Sequence, residues 1–123
     1  MIKDRHMELV CPAGTPATLR AAVQAGADAV YCGFRDETNA RNFPGLNFSP
    51  KEMAEGIRFA HDHGSKVLVA INTFARAENP DPWRKAADSA AASGADAIIA
   101  ADIAVLDHMA ASHPQTRLHL AVQ

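Results

Sequence analysis

Hydrophobic positions along this chain switch between two periods. Short apolar runs with β-branched residues predict strands over residues 8–12, 29–33, 67–71, 97–101 and 118–122. Between them, apolar residues recur every three or four positions, which predicts four amphipathic helices. Their inward stripes are Leu19, Ala22 and Val23; Met53, Ile57 and Ala60; Trp83, Ala87 and Ala90; and Val105, Leu106 and Met109. The run 67–71 is apolar throughout, the pattern of a strand covered on both faces.

The boundaries carry their own signals. Thr15 stands as an N-cap before Pro16, and Ser49-Pro50-Lys51-Glu52 spells a capping box with proline just inside the helix. Asp81-Pro82 opens the third helix, and Asp102 stands as the N-cap of the fourth, which ends near Pro114. Gly26, Gly64 and Gly94 close the first three. Two of these closures share a phrase, Ala25-Gly26-Ala27-Asp28-Ala29-Val30 and Ser93-Gly94-Ala95-Asp96-Ala97-Ile98, 68 positions apart. A looser copy runs from His63-Gly64-Ser65-Lys66 into Val67. A recurring helix-to-strand joint marks a βα repeat and a parallel sheet.

The order βαβαβαβαβ fits the first half of a (β/α)8 TIM-type barrel, incomplete at this length, since a full barrel takes ~250 residues. The alternative is a five-stranded doubly wound parallel sheet. The expected organisation is a leader at residues 1–6 and a truncated domain at 7–123. Open strand edges predict marginal stability, aggregation or self-association.

Composition narrows the class. With 123 residues, 48% hydrophobic and 21% charged, the chain is at most one ordinary globular domain. A formal charge of −2 and the lack of a basic stripe argue against DNA as a partner. The N-terminal stretch is too polar for a signal peptide and no run is long enough to span a bilayer, so the expected location is the cytoplasm. Cys11 and Cys32 have no zinc or CxxC spacing and are expected to be reduced.

In parallel α/β folds the chemistry sits at the carboxyl ends of the strands. Those ends carry Cys11-Pro12-Ala13-Gly14, Cys32-Gly33, Asn72-Thr73, Asp102 and Gln123. The connection 34–48 is far longer than the usual βα loop. In it, Arg41 offers a planar fork for a carboxylate or phosphate and Asn39 offers neutral hydrogen bonds. Asn39, Arg41, Asn72, Asp102 and Gln123 are the candidate substrate-binding residues. The plainer alternatives are a self-packed lid, with Phe43, Leu46 and Phe48 plugging the mouth and Arg41 paired to Asp36 or Glu37, and a capping role for Asp102. His61 and His63 point to opposite sides and are expected to be solvated; His119 has no companion. No metal ligands and no catalytic residue are assigned. No strand-end lysine suits a Schiff base, and no nucleophile–base pair is legible.

Several segments together resemble a known family: Met7-Glu8-Leu9-Val10-Cys11-Pro12-Ala13-Gly14, Gly26-Ala27-Asp28-Ala29-Val30-Tyr31-Cys32-Gly33, Asn39-Ala40-Arg41-Asn42-Phe43 with Leu46-Asn47-Phe48, and Ala70-Ile71-Asn72-Thr73-Phe74. From Met7 onward the chain resembles the collagenase-like peptidases of unknown catalytic type, peptidase family U32. The spelling of the long loop and of Ile71-Asn72-Thr73-Phe74 is most similar to the UbiU (YhbU) branch. The resemblance implies a component of oxygen-independent hydroxylation in ubiquinone biosynthesis, acting with a UbiV-like partner on a small prenylated aromatic substrate. It implies a [4Fe-4S] cluster on four cysteines in the full-length member, with ligands downstream of Gln123 and none in this chain, which alone is expected to be inactive. Other members of the family hydroxylate RNA, and others bear the name of proteases, so a hydrolase and a non-catalytic half-barrel binding module stand as alternatives.

Overall fold

The computed structural model describes residues 8–120. The elements are β1 (Val10–Pro12), α1 (Pro16–Gln24), β2 (Ala29–Gly33), α2 (Pro50–Asp62), β3 (Lys66–Ile71), α3 (Asp81–Ala92), β4 (Ala97–Ala100), α4 (Ile103–Ser112) and β5 (Arg117–Leu120). All strand pairs are parallel and the sheet order is β1-β2-β3-β4-β5. This corrects the doubly wound alternative. A doubly wound sheet reverses direction at a switch point, whereas right-handed crossovers between consecutive neighbours stack every helix on one face. The packing of α1 on α2, α2 on α3 and α3 on α4 is that of a barrel wall. The expected leader at residues 1–6 and the end of the fifth predicted strand, residues 121–122, lie outside the described residues.

The core lies between the sheet's outer face and the helices. Val30, Val67, Val69, Ile71 and Ile98 are buried there against Leu19, Met53, Ile57, Trp83, Ala87 and Met109. Each large aliphatic side chain so buried contributes about 1.5–3 kcal/mol of transfer free energy. The inner face is set by register: Pro12, Tyr31, Leu68, Ala97 and Arg117 form one row, and Gly33, Ala70, Ile99 and His119 the next. Leu68 and Ala70 on that face are only half-buried and Tyr31 is exposed. The run 67–71 is therefore covered on one face by helices and partly open on the other.

Local chemistry accounts for the element ends. The Thr15 and Ser49 side chains cap α1 and α2, each in a reciprocal box with Thr18 and Glu52. Three helix exits share one bond pattern. The N–H of Ala27, Ser65 and Ala95 reach back to the carbonyls of Ala22, Ala60 and Ala90, around Gly26, Gly64 and Gly94 at φ of 97°, 81° and 91°. The aspartates of the repeated phrase then tie neighbouring strands together. Asp28 Oδ2 accepts the Leu9 N–H and Asp96 Oδ2 the Val67 N–H, both at 2.7 Å.

Candidate functional site

The long connection 34–48 folds as a loop whose ends are joined. Phe34 and Phe48 form a parallel bridge, with Phe48 N–H donating to the Gly33 carbonyl and Arg35 N–H to the Phe48 carbonyl. Arg35 braces it from outside. Its Nε donates to the Leu46 carbonyl and its Nη2 to the Asn47 carbonyl, each at 3.1 Å, and Nη2 also meets Glu52 Oε1 at 2.9 Å. The Ser49 backbone N–H, foremost, holds the Glu52 carboxyl below the usual range against an opposing desolvation effect, with help from Arg35.

Under this loop, at the carboxyl ends of β1, β2 and β3, lies an open pocket of about 450 Å³. Its floor is Pro12, Ala13, Gly14, Tyr31, Gly33 and Ala70; Asn39, Arg41, Phe43, Leu46 and Asn47 come from the loop, and Asn72 from the end of β3. Asn39 is buried, its Nδ2 donating to the Phe34 carbonyl at 3.3 Å and its Oδ1 accepting the Arg41 N–H at 3.0 Å. Asn72 Oδ1 accepts the Ala40 N–H at 2.8 Å, and the Asn72 N–H donates to the Thr38 carbonyl. Asn47 takes the left-handed conformation at φ 73°, donates its backbone N–H to the Gly14 carbonyl, and donates Nδ2 to the Arg41 carbonyl at 2.7 Å. The peptide that carries Arg41 is thus held from both sides by asparagines. The close fit extends to Gly33, where a Cβ would stand 2.5 Å from Asn39 Nδ2.

Arg41 itself is exposed at the pocket wall and has no carboxylate partner among the described residues. The expected pairing to Asp36 or Glu37 does not form, because both acids are engaged elsewhere. Asp36 Oδ1 accepts the Thr38 N–H and hydroxyl, and Glu37 pairs with Arg76 at 2.9 Å. The expected apolar plug divides as well. Phe48 is fully buried in the core, whereas Phe43 is 57% exposed and Leu46 38% exposed.

Of the five sequence candidates, the structure brings Asn39, Arg41 and Asn72 together in the pocket. Asp102 caps α4, with Oδ1 accepting the Ala104 N–H and Oδ2 the Ala75 N–H, and it does not line the pocket. Gln123 lies outside the described residues. Sequence reasoning missed Tyr31, Asn47 and Arg35. Tyr31 was detectable from strand alternation, as the polar break in an apolar run, on the face opposite the helices. His61 and His63 are both exposed, as expected, and face different partners: His61 Nε2 pairs with Asp96 Oδ2 at 2.7 Å, and His63 Nδ1 donates to the Phe59 carbonyl.

The two thiols do not suit an iron–sulfur site. Cys32 Sγ is buried and donates to Met53 Sδ at 3.6 Å, and burial pushes its pKa up to about 12. Cys11 lies on the same helix-facing side, packed against the core. Two thiols so placed cannot supply a four-cysteine set.

Comparison with known proteins agrees with this architecture. The chain is 37% identical over 119 residues to tRNA hydroxylation protein P1 of Bacillus subtilis, covering 94% of this chain and 27% of that protein. It is 33% identical over 125 residues to a 23S rRNA 5-hydroxycytidine synthase of Escherichia coli (99% and 18%) and 32% identical over 116 residues to a collagenase of Porphyromonas gingivalis (94% and 27%). The chain thus spans roughly a quarter or less of these relatives' length. Among solved structures, type I 3-dehydroquinate dehydratase from Clostridium difficile superposes with a TM-score of 0.62 at 12% identity, over 94% of this chain and 51% of that one. DHDPS from Cyanidioschyzon merolae gives 0.57 at 13% identity, over 92% and 45%. Both likenesses speak to fold alone and agree with part of a TIM barrel. Residues 14–123 match the profile of peptidase family U32, and the chain belongs to that family.

Proposed function

We propose that this chain supplies the amino-terminal wall of the substrate pocket in a U32 hydroxylation protein of the UbiU-like branch, whose substrate is a prenylated aromatic ring. The observation that carries the reading is the pocket at the ends of β1 to β3. It sets one uncommitted guanidinium, Arg41, among asparagine amides and the exposed faces of Tyr31, Phe43 and Leu46. An aromatic acid with an apolar tail matches that mixture: the fork binds the acid and the apolar side chains cover ring and tail. The cluster that the UbiU resemblance implies would be held by cysteines of the longer protein, and a UbiV-like protein is its proposed partner. In the cytoplasm-facing chemistry so proposed, no bilayer crossing is needed, and among the described residues no helix is long and apolar enough to make one.

A second reading has its own support. Relatives named for tRNA and rRNA hydroxylation suggest a nucleobase, also a flat ring, in the same pocket. Hydrolysis has less support, since the Cys32 thiol at the pocket's edge turns away into the core against Met53. The full-length Arg41→Ala variant separates the readings. Anaerobic ubiquinone content, measured at equal protein abundance, is expected to fall by about tenfold or more, the loss of a charge-assisted bond worth ~1.5–3 kcal/mol. Normal quinone with loss of RNA hydroxylation, read by nucleoside mass spectrometry, would transfer the pocket to RNA. Both products at normal levels would remove Arg41 from the site.

A further inference from the structure

A second constellation lies on the helical layer, at the end of the barrel wall opposite the pocket. Helices of βα units run antiparallel to their strands, so the C-terminal end of α4 sits where β5 begins, away from the strand ends that carry the chemistry. Asp88, two-thirds along α3, and His108, on α4, face each other where the helices pack. His113, the residue that closes α4, turns back to the same point.

Both imidazoles aim Nε2 at one atom. His108 Nε2 and His113 Nε2 each stand 2.7 Å from Asp88 Oδ1, and the three ligand atoms lie within 4.8 Å of one another. The rings meet edge to face, with centroids 6.1 Å apart and planes at 71°. Such a disposition lets two nitrogen lone pairs converge rather than stack. The carboxylate is half exposed and the imidazoles about a quarter exposed, so the point of convergence is shielded but reachable. His113 also lines an open cleft of about 330 Å³ with Ala91, Ala92 and Thr116, which leaves room for water beside it.

The donor set is specific in its chemistry. Two neutral imidazoles and one carboxylate suit zinc and neighbouring divalent transition metals, and not calcium or magnesium, which take oxygen ligands. Zinc bonds to nitrogen and oxygen are ~2.0–2.2 Å, so a tetrahedral ion spaces its ligand atoms by ~3.3 Å. The two nitrogens would each retreat from Oδ1 by roughly half an ångström, a rotamer adjustment within reach of an exposed aspartate. The fourth position would be held by water.

We propose that Asp88, His108 and His113 form a zinc site that clamps the end of α4 and the turn into β5 onto α3. The site is structural in role: it lies away from the pocket and joins two helices and the turn that follows them.

The test uses the full-length protein, stripped with chelator and titrated with zinc chloride alone by calorimetry. His108→Gln with His113→Gln is expected to lose one equivalent of zinc per chain, or to bind it more than ~100-fold more weakly, beyond the loss of a mere outer-sphere partner. His63→Gln, on a different helix, is expected to bind as the parent does. Cobalt in place of zinc is expected to give visible d–d absorption in the parent that the double variant lacks. Equal zinc stoichiometry in parent and double variant would overturn the site. Should the double variant not fold, the imidazole resonances of His108 and His113 in the parent decide: shifts on adding one equivalent of zinc support the site, and unchanged resonances leave only a hydrogen-bonded Asp–His cluster.

Discussion

Gly33 shows how tightly single residues define the pocket. A methyl group there would stand 2.5 Å from Asn39 Nδ2, 2.8 Å from Asn39 Cγ and 3.3 Å from the Ala70 carbonyl. Gly33→Ala is therefore expected to expel the Asn39 side chain and to cost about 1–3 kcal/mol, the range of overpacked cores. Urea unfolding checks the cost; an unchanged midpoint would mean the loop yields freely. Asp96 is the second such residue. One oxygen accepts both the Val67 N–H, near the head of a buried strand, and the His61 imidazole, and removing the carboxylate takes away both bonds. Asp96→Ala is expected to destabilise by about 1–3 kcal/mol, read by the same measurement. The repeated Gly-Ala-Asp phrase was legible because its cause is local: a left-handed cap, then a side chain that reaches the strand beside it. Arg41 was legible as a charge but not as an unpaired one. Its isolation depends on Thr38 and Arg76 capturing Asp36 and Glu37, a competition settled only in three dimensions.

At the scale of elements, caps and stripes translated directly. The Ser49–Glu52 box, the Thr15 cap and the Asp102 cap all form, since each is a bond between residues two or three apart. The long loop did not translate, since its shape rests on Arg35 gripping carbonyls eleven and twelve residues on, and on Asn47 adopting a positive φ. Glu52 joins the two regimes, serving the α2 cap and the Arg35 brace at once. Its folded-state pKa is depressed, so the stability it contributes is present above the unfolded glutamate value and lost as pH falls through the folded one. The stability gap between the parent and Glu52→Gln is expected to be full at neutral pH and to close from about pH 5 to about pH 3. Denaturant midpoints across that range measure it; a gap that persists undiminished at pH 3 would assign Glu52 a purely geometric role.

The whole molecule is a curved sheet with helices on one side. Val10 and Tyr31 are exposed on or beside its inner face, and Leu120, in register with buried Ala100, is 64% exposed on its outer face. Among the described residues, β1 and β5 are paired on one side only. Such edges seek partners. The 123-residue chain by itself is expected to self-associate, giving a dimer or larger species by multi-angle light scattering, and a clean monomer at high concentration would count against that expectation. The barrel reading was legible from the order of elements, but the choice against a doubly wound sheet needed the strand order, which no periodicity encodes.

That order has a consequence for how the chain is made. Residue 10 pairs with 29, 29 with 66, 68 with 97 and 97 with 117, so each strand finds its partner in the strand just synthesised. Chains fold from the N-terminus as they emerge from the ribosome. Here the nascent sheet grows by accretion at a single advancing edge. From β2 to β5 each strand meets a neighbour already made, and each new βα unit covers the apolar flank that the previous one left bare.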